Sequence, residues 1–197
     1  MPQQALFVTY VDHSRIADAG LLADLARSIR CLAEEDGAGR RWSRDHGYKG
    51  YTSYASLDDL PRRDPAFAEL KGRIERQAAL FARALAWTVR PRLDSIWVNA
   101  LRGGGHHSAH IHPRSLLSGT LYVDVPPGSG AIRFEDPRLG LMMAAPSRAE
   151  DAPEPLRAFV DVAPEPGLML MWESWLRHEV RPGRGRGERL SVSFNLA

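Results

Sequence analysis

The sequence has little of several features that define common protein classes. Cys31 is the only cysteine among 197 residues, so the chain cannot form an internal disulfide, which favours a reducing compartment. No apolar run approaches the roughly 18 residues that a membrane-spanning helix needs, and the N-terminal residues lack the basic and apolar regions of a secretory signal. We therefore expect a cytoplasmic protein with no membrane partner.

Net charge is also small. The 26 lysines and arginines nearly balance the 24 aspartates and glutamates, which leaves a formal charge of +2 at pH 7. The two signs are interspersed along the chain, so the sequence does not indicate a nucleic-acid partner. Arg184 and Arg186 alternate with glycines and are typical of an exposed turn.

The composition is that of an ordinary globular protein, and the length suits a single domain over residues 1–197. Residues 1–92 read as mainly helical and loop support. One predicted helix ends before the turn residues that begin at Asp36, and we expect Cys31 to pack in the core with its apolar face. A second begins at Asp64, a suitable N-cap followed by Pro65. Apolar residues recur at helical spacing in both, at Ile16, Leu21, Leu22, Leu25, Ile29 and Leu32, and at Phe67, Leu70, Ile74, Ala78, Phe81 and Leu85. Between them we expect an ordered loop with at most a short strand.

Residues 93–197 form the predicted β-strand region. Here short segments in which apolar and polar residues alternate are separated by turn sequences. The eight predicted strands are 96–101, 107–112, 117–125, 131–135, 159–162, 168–172, 177–180 and 189–196. This pattern favours a mainly β fold, an antiparallel barrel or jelly roll with the helices packed outside. The interval from Asp136 to Arg157 is predicted to be an insertion at one rim. Trp97, Trp172 and Trp175 are expected to pack in the core rather than shape a pocket.

The last strand has two different faces. Arg189, Ser191, Ser193 and Asn195 share one, and the alternate apolar residues from Leu190 to Leu196 share the other. Two amphipathic helices need an apolar surface to cover, and the apolar row of this strand can supply it. The polar row would then point into the barrel and line a pocket. Exposure of that row to solvent is the alternative.

Four of the seven histidines lie between His106 and His112. On a strand, His110 and His112 share one face and can bind one metal ion, whereas His107 lies on the other face. His106 and His107 follow three glycines and are more typical of an exposed loop. His178 is the natural third ligand, because a hairpin ending there could bring it opposite the pair; a purely structural role is its alternative.

An arginine buried inside a barrel requires an anion, and the guanidinium of Arg189 suits a carboxylate, with the Ser191 hydroxyl as a second donor. A His-x-His, a distal histidine and then Arg-x-Ser, in that order, resembles the 2-oxoglutarate/iron(II) oxygenases. The segments WVNALRGGGHHSAHIHPRSLLSGTLYV, FEDPR, PEPGLMLMWESWLRHEV and ERLSVSFN are similar to a family of small bacterial 2-oxoglutarate-Fe(II) oxygenase-like proteins, as is GYTSYASLDDLP.

This resemblance covers most of residues 45–197 and implies a double-stranded β-helix fold, Fe(II) and 2-oxoglutarate. It implies that His110, His112 and His178 bind the iron, and that Arg189 and Ser191 hold the far carboxylate of the cosubstrate. Tyr122 and Asn99 are candidates for further hydrogen bonds to it. The implied activity is that of a dioxygenase, hydroxylation of an unidentified small-molecule substrate with succinate and CO2 as co-products. A homodimer is an open option.

One residue departs from the pattern of the wider superfamily, which usually has a carboxylate where this chain has His112. Glu135 or Asp136, at the end of a neighbouring strand, could supply an oxygen ligand instead. Two other functions therefore stay open. One is a cupin-like three-histidine dioxygenase or isomerase that does not use 2-oxoglutarate, and the other is a non-enzymatic barrel that binds a metal or ligand.

Overall fold

The computed structural model describes residues 3–197. The helices are α1 (Ala19–Glu35), α2 (Gly37–Asp45), α3 (Leu60–Arg63) and α4 (Pro65–Ala84). The strands are β1 (Val11–Arg15), β2 (Gly50–Thr52), β3 (Leu93–Arg102), β4 (His107–His110), β5 (Leu117–Asp124), β6 (Ile132–Glu135), β7 (Phe159–Val162), β8 (Leu168–Glu173), β9 (His178–Val180) and β10 (Glu188–Leu196). No helix in this range combines the length and hydropathy needed to cross a bilayer.

The strands form two antiparallel sheets. One has six strands in the order β1-β8-β5-β10-β3-β2, and the other has four in the order β4-β9-β6-β7. Each of the eight predicted strands is present, and their alternation between the two sheets is that of a jelly roll, so the predicted double-stranded β-helix is confirmed. The predicted insertion lies between β6 and β7 and contains two short 3-10 turns, Leu139–Leu141 and Glu154–Leu156.

The two faces of β10 divide the interior as predicted. Leu190, Val192, Phe194 and Leu196 belong to one apolar cluster with the buried faces of α1 and α4. Arg189, Ser191 and Ser193 point the other way and line a cavity between the sheets. The helices cover the outer face of the six-stranded sheet, where its apolar side chains lie. The polar side chains of β10 therefore face the inside of the barrel.

Helix α4 begins where capping chemistry predicts. The Asp64 side chain accepts a hydrogen bond from the backbone N–H of Ala66, and Pro65 is the first residue of α4. In α1 the buried residues include Leu25 and Ile29, but the prediction for Cys31 is wrong, because its side chain is exposed. Two residues past Ile29 the helix has turned by about 200°, which carries Cys31 to the solvent side.

Sequence patterns missed β1 and α2. β1 has no clear apolar alternation and forms because it pairs with β8 at the sheet edge. The predicted loop between Asp36 and Asp64 begins with helix α2, whose N-terminus is capped by the Asp36 carboxylate through the N–H of Gly39 at 2.9 Å. A Cβ on Gly39 would lie 2.3 Å from that carboxylate. Gly39 is therefore required by close packing rather than by a turn.

We expect Asp36→Ala to lower the free energy of unfolding by about 2–3 kcal/mol, because it removes a helix cap and the acceptor of two hydroxyls. Those hydroxyls belong to Tyr51, at 2.8 Å, and Ser56, at 2.5 Å. Urea denaturation measures the change. The control is Asp45→Ala at the exposed end of the same helix, expected to stay within about 0.5 kcal/mol. Equal stabilities of the two variants would contradict the capping role.

Candidate active site

A cavity lies between the two sheets. Its walls come from β3, β5, β8 and β10 of the larger sheet and from β4, β6 and β9 of the smaller one, together with His112 just beyond β4. All seven residues predicted from the sequence for the site line this cavity, namely Asn99, His110, His112, Tyr122, His178, Arg189 and Ser191. The fold therefore brings together residues that are far apart in the chain. The most distant pair, Asn99 and Ser191, is separated by 92 positions.

Three imidazoles meet at one end of the cavity. One nitrogen each of His110, His112 and His178 lies within 4.8 Å of the other two, and the Nε2 atoms of His112 and His178 are 3.4 Å apart. A metal ion about 2.1 Å from each of two imidazole nitrogens, at angles between 90° and 110°, holds them roughly 3 to 3.4 Å apart. The spacing of His112 and His178 fits one ion between them.

Backbone carbonyls set the tautomers of two of these histidines. The Nδ1 atom of His178 is 2.9 Å from the carbonyl oxygen of Leu176, and Nδ1 of His110 is 2.6 Å from that of Ser108. A carbonyl can only accept, so each Nδ1 carries the proton and each Nε2 keeps its lone pair. Metal-binding histidines are usually oriented by such a bond from the other ring nitrogen.

Burial keeps two of the three histidines, His112 and His178, neutral. Burial lowers the pKa of His178 to about 3, assisted by the neighbouring imidazoles and opposed by its hydrogen bond to Leu176. Burial, followed by the nearby His110, lowers the pKa of His112 to about 4. Neutral imidazoles are the form that binds a metal, so protons compete with an ion only in strong acid.

The carboxylates considered as alternative ligands are paired elsewhere. Glu135 forms an ion pair with Arg177 at 3.2 Å, and Asp136 forms one with Arg138 at 2.8 Å. Within residues 3–197, the cluster that includes His112 contains only the three histidines.

A β-bulge changes which histidines face the cavity. In the pairing of β4 with β9, His107 lies opposite Val180 and His110 opposite His178, so four residues of β4 lie opposite three of β9. The strand ends at His110, and His112 is held by its backbone N–H, which donates to the carbonyl of Ser174 at 3.0 Å. The expectation that His107 lies on the other face is therefore wrong: the extra residue turns it into the cavity. His106 is exposed, as expected.

His107 belongs to a hydrogen-bonded network that includes residues of the N-terminal region. The Tyr48 hydroxyl lies 3.1 Å from Nε2 of His107 and 3.2 Å from Oδ1 of Asn99. That oxygen also accepts from Thr52 at 2.9 Å, and the Asn99 amide nitrogen donates to Ser193 at 3.1 Å. Asn99 thus orients its neighbours. Tyr48, from the segment that the sequence predicted to be a loop, contacts two residues that line the cavity.

Arg189 lies toward the other end of the cavity and is only 5% exposed. Its Nη1 donates to the carbonyl of Gly130 at 2.9 Å, and its guanidinium lies 5.4 Å from the centre of the Tyr122 ring. Its Nε has no acceptor among residues 3–197. Burial, partly offset by the arginine charge, raises the pKa of Tyr122 to about 12, so this phenol stays neutral. A buried cation with an unused donor makes this end of the cavity suited to an anion.

Three solved structures share the fold at low sequence identity. A prolyl-4-hydroxylase from Pseudomonas putida is 16% identical, with coverage of 95% of this chain and 92% of that chain and a TM-score of 0.60. The non-heme alpha-ketoglutarate-dependent epimerase SnoN from nogalamycin biosynthesis is 18% identical, with 95% and 78% coverage and a TM-score of 0.63. HygX from Streptomyces hygroscopicus, solved with nickel and 2-oxoglutarate bound, is 16% identical, with 96% and 82% coverage and a TM-score of 0.57.

No curated protein matches the chain in sequence. The family described as "Putative 2OG-Fe(II) oxygenase" matches residues 95–195, which run from β3 to β10 and include the histidine triad and Arg189. The chain therefore belongs to this family of 2-oxoglutarate- and Fe(II)-dependent oxygenases.

Proposed function

We propose that this protein hydroxylates a small molecule, with Fe(II) held by His110, His112 and His178 and with 2-oxoglutarate held by Arg189 and Ser191. The observation that carries the proposal is one cavity with a three-histidine cluster near one end and a buried, incompletely paired arginine toward the other. A dicarboxylate that also binds a metal matches both ends.

The donor set fits a first-row divalent ion, because imidazole nitrogen suits iron and a set of three protein ligands would leave positions for a cosubstrate. When bound, Fe(II) with 2-oxoglutarate and oxygen supplies the oxidising power to hydroxylate a C–H bond, with succinate and CO2 as co-products. His112 replaces the more usual carboxylate, so the protein would add no negative charge to the ion. The anionic cosubstrate would then be attracted by the full positive charge of the ion.

The chain's own residues orient the cosubstrate and exclude water. The planar guanidinium of Arg189 offers several N–H donors to a carboxylate, and its contacts with Gly130 and Tyr122 fix its direction. The neutral hydroxyl of Tyr122 is available as a further donor. Ile132 and Trp172 contribute apolar surface to the wall, which lowers the local dielectric and strengthens the pairing between arginine and carboxylate.

A second candidate function is a three-histidine metalloenzyme, a dioxygenase or isomerase, that does not use 2-oxoglutarate. The all-histidine ligand set favours it. The buried Arg189 argues against it, because a reaction without an anionic cosubstrate gives no reason to bury an incompletely paired guanidinium.

Anaerobic titration of the protein with Fe(II) and then 2-oxoglutarate tests the proposal. We expect a weak visible charge-transfer band that saturates at one equivalent of 2-oxoglutarate, because the cosubstrate chelates the bound iron. Iron binding without this band would favour the three-histidine alternative. Failure to take up Fe(II) at micromolar concentration would favour a non-enzymatic barrel.

We also propose a cytoplasmic, single-domain enzyme without a nucleic-acid partner. Its near-neutral charge and lone exposed cysteine support these assignments. A homodimer is supported by the exposed side chains of Leu6, Phe7, Val8 and Tyr10, which precede the edge strand β1. Sedimentation velocity with the whole chain tests the dimer, and a monomer at tens of micromolar would exclude it.

A further inference from the structure

Two buried side-chain nitrogens have no hydrogen-bond acceptor within residues 3–197, namely Nε of Arg189 and Nε1 of Trp172. Trp172 is only 2% exposed, and both residues line the same cavity. Leaving a buried N–H unpaired costs free energy, and an indole N–H can only donate. The molecule that fills the cavity is therefore expected to bring an acceptor atom to Trp172 as well as to Arg189.

The two donors lie toward opposite ends of the cavity. The Trp172 ring meets the ring of His178 edge-on, with 4.7 Å between centres, and in the sheet Trp172 is paired with Ser118 of β5. The Arg189 guanidinium lies over Tyr122, which is four residues farther along β5 than Ser118, or roughly 13 Å. Trp172 thus belongs to the histidine end, and Arg189 to the other.

We propose that the indole N–H of Trp172 donates a hydrogen bond to the carboxylate of 2-oxoglutarate that lies at the histidine end. This inference rests on the proposed function, in which the far carboxylate is bound by Arg189. It makes Trp172 a binding residue for the cosubstrate, although the sequence predicted core packing. The two unpaired donors then match the two carboxylates of one diacid.

The indole signals of the 15N-labelled whole protein test the hydrogen bond directly, with diamagnetic Zn(II) in place of Fe(II). The chain has five tryptophans, so five indole N–H signals are expected. The Trp172 signal is the one that disappears in Trp172→Phe, and its contacts with the His178 and Phe134 rings identify it independently. On addition of 2-oxoglutarate we expect this proton to move downfield and exchange more slowly with solvent, whereas that of the exposed Trp175 stays in place.

Cosubstrate affinity in the presence of Zn(II) gives a second measurement by calorimetry. Trp172→Phe keeps an aromatic ring but removes the donor, and we expect about tenfold weaker 2-oxoglutarate binding. The matched control is Phe134→Leu, which alters the packing against the Trp172 ring, 5.2 Å away between centres, without removing a polar atom. We expect this control to change the affinity by less than about twofold.

The outcomes separate this inference from the proposed function. If 2-oxoglutarate binds and its affinity depends on Arg189, but the Trp172 signal does not move, the role of Trp172 is overturned and the proposed function stands. Equal losses of affinity in Trp172→Phe and Phe134→Leu would assign the effect to packing and also overturn it. If the wild-type protein with Zn(II) or Fe(II) binds no 2-oxoglutarate, both proposals fail.

Discussion

Replacing Arg189 by alanine is expected to weaken 2-oxoglutarate binding by about a hundredfold, which corresponds to about 3 kcal/mol. The guanidinium is buried, and among the residues that the structure describes it donates only to the Gly130 carbonyl. Without it, a carboxylate at this end of the cavity would be desolvated and unpaired. Titration of the Fe(II) protein with 2-oxoglutarate, followed by the visible band of the chelate, measures the change.

Two further variants show whether charge or geometry matters. Arg189→Lys keeps the charge but loses the planar pair of donors, so its affinity should fall between those of the wild type and the alanine variant. Arg186→Ala removes an exposed arginine of the preceding loop and should leave the affinity unchanged. A folded Arg189→Ala protein with wild-type affinity would show that the cosubstrate does not bind to this residue.

Replacing His178 by alanine is expected to reduce Fe(II) affinity by more than about a hundredfold, because even residues that only support metal ligands contribute ten- to a hundredfold. His178 provides one of the three nitrogens in the cluster and is only 4% exposed. Equilibrium dialysis with Fe(II) under anaerobic conditions measures the affinity, and thermal denaturation without metal confirms that the variant folds.

The chain offers matched controls for the metal site. His106→Ala removes an exposed histidine close to the cluster and should leave Fe(II) binding unchanged. His112→Asp converts the cluster to two histidines and one carboxylate, a set that binds Fe(II) in many oxygenases, and should retain the metal. Wild-type Fe(II) affinity in His178→Ala would exclude this histidine as a ligand and leave the cavity without a three-residue site.

Local patterns predicted much of this architecture because they report which face of an element is apolar. The alternation along β10 predicted both the core row and the polar row that reaches the cavity, and Asp64 with Pro65 predicted the start of α4. The same pattern failed at Cys31, because one apolar residue near the edge of a helical stripe can belong to either side. The identity of a single residue does not tell whether it faces the core or the solvent.

The site itself was only partly predictable. The spacing of His110 and His112 indicated a pair on one face, and the order of His178 and Arg189 indicated their partners. The bulge in β4 could not be read from the sequence, because it depends on how two distant strands pair, and it determines that His107 shares the cavity with His110. Tyr48 and Trp172 were missed for a related reason: neither stands in a chemical motif.

Periodicity and turn chemistry are local properties, so the sequence alone predicted an antiparallel barrel or jelly roll, helices packed outside it, and a set of histidines and an arginine that could share one site. Contacts between distant segments are set by packing and strand register, which no local pattern encodes. Tertiary structure therefore decided that Tyr48 meets His107 across 59 positions of the chain. It also left the indole nitrogen of Trp172 buried without an acceptor in the described part of the chain.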